Sequence, residues 1–362
     1  MYSIVDDGED DARRNAGPLP NDLEQCHALI LALTQDLQQY RPRVDYLLRR
    51  LFGPRSEGLD LSRKTLCDGV LQSAMVLKPV VEAMKERVLH SKAIHTDDPP
   101  VHVQDQQKNR TTRKAYLWPY AGDDAHPYTV FDYTPTRNRE GPETFLEDFR
   151  GASAQPRYLQ CDAFAGYNGL FANGHHLLEV GCWAHTRRKM FEAKDTDPVR
   201  GHEALARIGK LYDVERDPKT LDAQQRYALR PEKARPLLEE FYRWAVCAKQ
   251  AVLPKSPIGQ ATDYALSNWT ALIRYLDDPD LDTDNNAAEQ AVRAIALGRK
   301  NRLCFGSDRG GQAAAIHFSL IASARRHGLD PFVYLQDLLA RIPTHPNRRI
   351  HELFPDCWKA SD

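Results

Sequence analysis

Three carboxylates sit where chemistry can be done. Glu289 lies inside the stretch DNNAAEQAVRAIALGRKN, Asp284 to Asn301. If that stretch is a helix, Asn285, Asn286 and Arg293 fall three or four residues from Glu289, on its side of the helix. A carboxylate among amides and a guanidinium can hold a hard cation beside a phosphate. It can equally be a surface glutamate paired with the arginine one turn on. Asp97 closes the run AIHTD, and Asp162 stands near the end of YLQCDA. Both runs read as strands, and residues at strand ends and in the loops that follow are favoured places for chemistry. Cys182 and His185 have a ligand-like spacing, but no second pair completes a zinc motif.

These side chains need elements to hold them. Asp284 or Asn285 can cap the helix around Glu289, and Gly298 with Arg299 and Lys300 gives it a cationic stop. Ala288, Val292 and Ile295 form its apolar stripe. Upstream, runs rich in aromatic and β-branched residues predict strands at 93–97, 101–103, 115–121, 128–134, 158–163 and 177–185. Short helices are expected in GPETFLEDFRG and TRRKMFEA, with a helix or loop at AFAGYNGLF. A meander of strands feeding into alternating helices predicts an α/β fold, a mixed sheet flanked by helices. Residues 196–281 are helical in pattern and punctuated by proline, and read as an all-α insertion. After the Glu289 helix, a glycine-rich turn enters a long apolar helix, and DPFVYLQDLLARIP is a last amphipathic one.

The N-terminal part has a different texture. Residues 1–20 are acidic, with Gly and Pro, and are expected to be disordered. Leu23, Ile30, Leu37, Val44 and Leu51 recur every seven residues, with Cys26, Leu33, Tyr40 and Leu47 at the second seam position. That is the pattern of a coiled coil or helical hairpin, with Pro42 breaking it. A further helix from about Ser62 to Leu89 carries Leu66, Val70, Leu77, Val80, Met84 and Val88 at helical spacing. The expected organisation is a tail at 1–20, a helical region at 21–90, a catalytic core at 91–195 and 282–343 split by the insertion at 196–281, and a tail at 344–362.

The 362 residues carry a formal net charge of −1, so bulk charge announces no polyanion as partner. The distribution says more. Between Asp284 and His327 there are seven Lys/Arg against three Asp/Glu, and KNRTTRK (Lys108 to Lys114) holds four cations and no acid. Local basic clusters in a neutral chain can form a track for phosphates. The seven cysteines are scattered without a CxxC pair, which argues against a disulfide scaffold or a zinc ribbon. No apolar run approaches the roughly 20 residues that span a bilayer, and no signal peptide is evident, so a cytoplasmic protein without membrane association is expected.

Two aspartates at strand ends and a glutamate on a late helix resemble the DDE arrangement of RNase H-like transposases and integrases. The longer motifs HTDDPPV, QCDAFAGYN, GCWAHTRRKMFEA, DNNAAEQAVRAIALGRKN and GSDRGGQAAAIHFSLIASARRHGLDPFVYLQDLLARI, in this order, resemble TnpC-type transposases of the bacterial insertion-sequence family IS66. The resemblance runs from about Ser91 onward, and the heptad followed by RRLFGPRSEGLD resembles that family's N-terminal region. It implies an RNase H-like fold and a DNA transposase that cuts and joins strands at insertion-sequence ends. Asp97, Asp162 and Glu289 would be catalytic and would hold two Mg2+ ions, with Mn2+ as substitute. Asp98 is the alternative to Asp97. Arg187, Arg188, Lys189, Arg293, Arg299 and Lys300 would meet the DNA backbone. Expected partners are element ends and target DNA, further copies of the chain in a homo-oligomer, and helper proteins of the same element. Two departures stand out: Pro99 replaces the usual Thr, and the family's cysteine-rich zinc-binding segment is missing. They raise an alternative, a catalytically silent, shortened relative that binds DNA or dimerises as a regulator.

Overall fold

A computed structural model describes residues 62–105, 111–172, 176–216, 223–301 and 304–359. The chain divides into a unit up to Cys67 and a unit from Asp68 onward. The heptad of residues 23–51 with its expected coiled coil, the acidic tail and cations 108 and 110 lie outside the described residues. Of the first unit only residues 62–67 are described, and they begin helix α1, Arg63–Leu89.

α1 buries only part of its expected stripe. Leu77, Val80, Met84 and Val88 are fully enclosed, whereas Leu66 and Val70 are more than half exposed. The sheet of the second unit follows at once, with β1 (Ala93–Thr96), β2 (Pro100–Gln104), β3 (Thr112–Ala121) and β4 (Thr129–Thr134). β3 pairs antiparallel with β4 along one edge. Along its other edge it pairs with β2 over its first half and with β1 at its end. β1 and β2 are thus one strand line interrupted at Asp97, Asp98 and Pro99. The interruption is chemical: Pro99 and Pro100 have no N–H to give the ladder. The Pro99 carbonyl still reaches across, accepting from Leu117 N at 3.3 Å.

The short helix α2 (Glu140–Phe145) leads to β5 (Arg157–Gln160), then a 3-10 turn and α3 (Asn168–Ala172) lead to β6 (Leu177–Val180). β5 pairs parallel with β1 and β6 parallel with β5, which completes a mixed sheet flanked by helices. The expected strand over 177–185 is corrected here, because it stops at Val180. Gly181 N leaves the ladder for the Ala271 carbonyl, and Trp183 opens α4, Trp183–Ala193. Trp183 is fully buried, and its indole N–H donates to the Leu272 carbonyl at 2.9 Å.

The described residues between 198 and 273 form four helices: α5 (Pro198–Arg216), α6 (Ala223–Ala251), α7 (Pro257–Ser267) and α8 (Trp269–Ile273). They share a core with one side of the sheet, in which Trp183, Phe241 and Trp269 pack ring on ring. The chain then returns to the sheet with α9, Asn286–Asn301, whose Ala288 and Ile295 are buried, and α10, Asp308–Arg326. α10 lies along the free edge of β4. The Ser319 hydroxyl accepts from Phe131 N at 2.8 Å, and the Ser323 hydroxyl accepts from Thr129 N at 2.9 Å. A row of exposed strand amides is a template for unwanted pairing, and these serines satisfy it from within the fold. Gly311 permits the approach, since a Cβ there would collide with the Tyr133 ring. α11, Pro331–Arg341, buries Tyr334 and Leu338, and beyond it a 3-10 turn, Asn347–Leu353, adds Leu353 and Phe354 to the same core within the expected tail.

Candidate active site

Register brings the first two carboxylates together. In the parallel pair of β1 and β5, His95 stands opposite Gln160, so the chain two residues further on presents Asp97 opposite Asp162. Neighbouring strands lie about 4.8 Å apart, and the C-terminal ends of parallel strands are where open α/β sheets place ligands. Ligand oxygens of Asp97, Asp98 and Asp162 all fall within 4.8 Å of one another. The Asp97 carboxylate accepts from Asp98 N at 2.8 Å, a link between neighbours that the proline-broken strand allows.

Sequence inspection missed the cation of this cluster. Arg137, in the loop after β4, donates Nε to Asp98 Oδ2 at 2.6 Å and a second N–H to Asp98 Oδ1 at 3.0 Å. The same guanidinium stands 3.7 Å from Asp162 Oδ2 and lies over the Phe164 ring at 4.1 Å. Nothing in TPTRNRE marks Arg137 locally. Its partner Asp98 is 39 residues away along the chain. Arginine is suited to such a forked pairing with a carboxylate.

Glu289 arrives from the other side, in the first turn of α9. The segment before it is strapped to the sheet. Gln160 Nε2 donates to the Asp282 carbonyl at 2.8 Å, and Trp183 N donates to the Thr283 carbonyl at 3.1 Å. Neither Asp284 nor Asn285 spends its side chain as expected. Asp284 Oδ1 accepts from Ala184 N and from the Tyr212 hydroxyl, both at 2.8 Å, and so serves the start of α4. Asn285 is fully buried; its amide donates to the Thr96 carbonyl at 2.7 Å, and its oxygen meets His95 Nδ1 at 3.2 Å. The start of α9 is thereby pinned to the end of β1. Ligand atoms of Glu289, Cys182 and His185 lie within 4.8 Å of one another, a second cluster beside the aspartates. Glu289 does not join the aspartate cluster itself; after burial, His185 and Asp284, the Asp97 charge is a lesser influence on its carboxyl.

Burial is the main force on these acids. It pushes the Asp98 carboxyl up to about 7, outweighing the Arg137 fork. Burial raises Asp97 as well, and the Asp162 carboxylate adds to the effect. Burial likewise raises Glu289, opposed by the His185 ring. It pushes the Cys182 thiol up to about 12. Meanwhile Asp162 Oδ1 is buried without a hydrogen-bond partner. Three carboxylates that repel one another, with one orphaned oxygen among them, fit a divalent cation of the Mg2+ type, which takes hard oxygen ligands.

A pH dependence follows for the metal-free chain. Asp98 holds its proton in the folded state up to about pH 7, whereas the unfolded chain releases it near 3.8. Between those values the folded state binds more protons, so stability falls as pH rises, by about 4 kcal/mol as an upper bound. Denaturation midpoints measured from pH 4 to 8 should show this fall, and Asp98→Asn should flatten it. Metal affinity should move oppositely, rising as the carboxylates lose their protons.

Of the expected backbone contacts, Arg187, Arg188 and Lys189 are exposed on α4, with Arg188 bonded to Glu192 and Lys189 over the Tyr264 ring. Arg293 is exposed on α9. The side chains of Arg299 and Lys300 lie outside the described residues. No described helix is long and apolar enough to cross a membrane.

A family model described as "Transposase IS66 family" matches residues 50–313, and one described as "IS66 C-terminal element" matches residues 319–355. Three curated proteins of Sinorhizobium fredii (strain NBRC 101917 / NGR234) are similar, all of them uncharacterized. The chain is 32% identical to y4hP over 327 residues, which is 84% of this chain and 58% of that protein. It is 28% identical to y4jD over 317 residues, covering 84% and 61%, and 27% identical to y4qI over 352 residues, covering 93% and 62%. This chain therefore spans about three-fifths of the length of the curated relatives it matches.

Proposed function

The chain belongs to the IS66 transposase family, and we propose that it is a DDE transposase that cleaves DNA strands at insertion-sequence ends and joins them to a target. The observation that carries this reading is the meeting of Asp97 and Asp162 at the ends of two parallel strands, with the start of the Glu289 helix pinned to the end of β1. The sheet, with its antiparallel β1 to β4 and parallel β5 and β6, fits an RNase H-like core. On this reading residues 91–195 and 282–343 build the core, and 196–281 are a helical insertion.

Asp97, Asp162 and Glu289 would hold the metal ions. Two divalent ions, Mg2+ or Mn2+, supply activation of a water or 3′-hydroxyl and neutralisation of the leaving oxygen in an in-line displacement. The protein's own part is positioning and charge. The aspartates are fixed by strand register and by the Asp98 amide, and Glu289 by the Asn285 clamp. Arg137 balances the aspartates and would add positive charge beside the metal site. Arg187, Lys189 and Arg293 offer charge to the flanking backbone, which would make binding salt-dependent. Element-end DNA, target DNA, further copies of the chain and helper proteins are the proposed partners.

The test is a nicking assay on DNA carrying the ends of the element. Cleavage should require Mg2+ or Mn2+, vanish with a chelator and return when metal is restored. Cleavage that persists in chelator would sink the two-metal reading. Metal binding without any cleavage would favour the silent, DNA-binding relative.

A further inference from the structure

We propose that Cys182, His185 and Glu289 form a site for a zinc-class cation, distinct from the aspartate cluster. A sulfur, an imidazole nitrogen and a carboxylate oxygen lie within 4.8 Å of one another. That mixed donor set selects a borderline-soft metal such as Zn2+ over Mg2+, which prefers oxygen alone. The spacing is close to what such a metal needs. Bonds of about 2.3 Å to sulfur and 2.0 Å to oxygen in a tetrahedron put the two donors roughly 3.5 Å apart. Here Cys182 Sγ stands 3.9 Å from Glu289 Oε1, so contraction by a few tenths of an ångström closes the site.

A thiolate, which burial disfavours in the metal-free chain, would find a partner in place once a cation binds. Asn285 N donates to Cys182 Sγ at 3.3 Å, an outer contact of the kind that orients and stabilises metal-bound sulfur. Cys182 precedes the first residue of α4, an 11-residue helix, where the helix dipole favours negative charge. His185 supplies an independent sign, since its Nδ1 is buried with no hydrogen-bond partner. A buried ring nitrogen left unpaired is costly, and ligation would relieve it. Cys182 and His185 are three residues apart at the start of α4, and Glu289 lies in the first turn of α9. The two helix starts are held together by the Asp284 to Ala184 and Asn285 to Cys182 bonds. The thiol proton passes to solvent as the metal binds.

A consequence rests on the transposase reading. Glu289 cannot serve both sites fully, so a zinc-class ion here draws it from Asp97 and Asp162 and inhibits Mg2+-dependent cleavage.

The experiment is titration of the purified chain with Co2+ under reductant without oxygen. An intense thiolate-to-cobalt charge-transfer band should saturate at one ion per chain, whatever further ions the aspartates take, and Zn2+ should displace it. Cys182→Ser should abolish the band, and Asp97→Asn should leave it unchanged. His185→Gln should lower cobalt affinity by roughly tenfold or more. A wild-type chain with no band, or a band that survives Cys182→Ser, overturns the proposal. If circular dichroism shows that Cys182→Ser does not fold, His185→Gln decides, and unchanged affinity there overturns it too. The readout needs no DNA. A chain that shows the band but never cleaves refutes the transposase reading alone, and one that cleaves without showing the band refutes the zinc site alone.

Discussion

Asp162→Asn is expected to lower metal-dependent cleavage on the order of a thousandfold while leaving the metal-free fold as stable as before or more so. Asp162 has a buried, unpartnered oxygen and stands against Asp97 and Asp98. In the metal-free chain these groups repel, and burial already raises Asp97 and Asp98. Exchanging one carboxylate for its neutral isostere removes repulsion, which should raise stability by about 1 kcal/mol. The substitution loses only a 3.7 Å contact with Arg137, whose fork on Asp98 remains. Activity and stability should therefore move apart, as they do when a residue is strained for function. Calorimetry with Mg2+ should show binding lost in the variant, and thermal melting should show a midpoint no lower than that of the parent. Glu289→Gln should match it in cleavage. If cleavage survives either substitution unchanged, the assignment of the three carboxylates is wrong.

Arg230→Met should be the most damaging single change to the fold, costing about 3–5 kcal/mol. Arg230 is 2% exposed, on α6. All its guanidinium nitrogens are engaged: Nε and one terminal nitrogen grip both Glu215 oxygens at 3.0 Å, and the terminal nitrogens also donate to the carbonyls of Tyr275, Asp278 and Leu281. Truncation would strand Glu215, 16% exposed, as a nearly buried charge and leave three carbonyls unsatisfied. Those carbonyls belong to the turn that runs into residues 282–285, the strap that sets the start of α9. The loss should reach the site, so cleavage should fall even at temperatures where the chain stays folded. A double variant that also replaces Glu215 by Leu should recover part of the stability, because the unpaired charge is then gone. Urea unfolding of the parent and the two variants measures this, and a cost below about 1 kcal/mol for Arg230→Met would contradict the account.

Local pattern was enough to place the strand cores and most of the described helices. Alternation and β-branched content place strands because those are local properties, and the apolar stripe of α9 was legible for the same reason. Its limits show at Gly181, where LLEVGCWAH reads on as a strand but the chain turns into α4, since only the Ala271 carbonyl and the pocket for Trp183 decide that turn. Asp284 and Asn285 read as caps of their own helix because capping is a local rule, yet tertiary partners claim both side chains. The tertiary structure alone decided that Arg137 balances Asp98 and that Glu289 lies beside Cys182 and His185. Cys182 and Glu289 are 107 residues apart in sequence. A local pattern carries no record of such distances; they are set when sheet register and helix packing bring separate chain segments to the same end of the sheet.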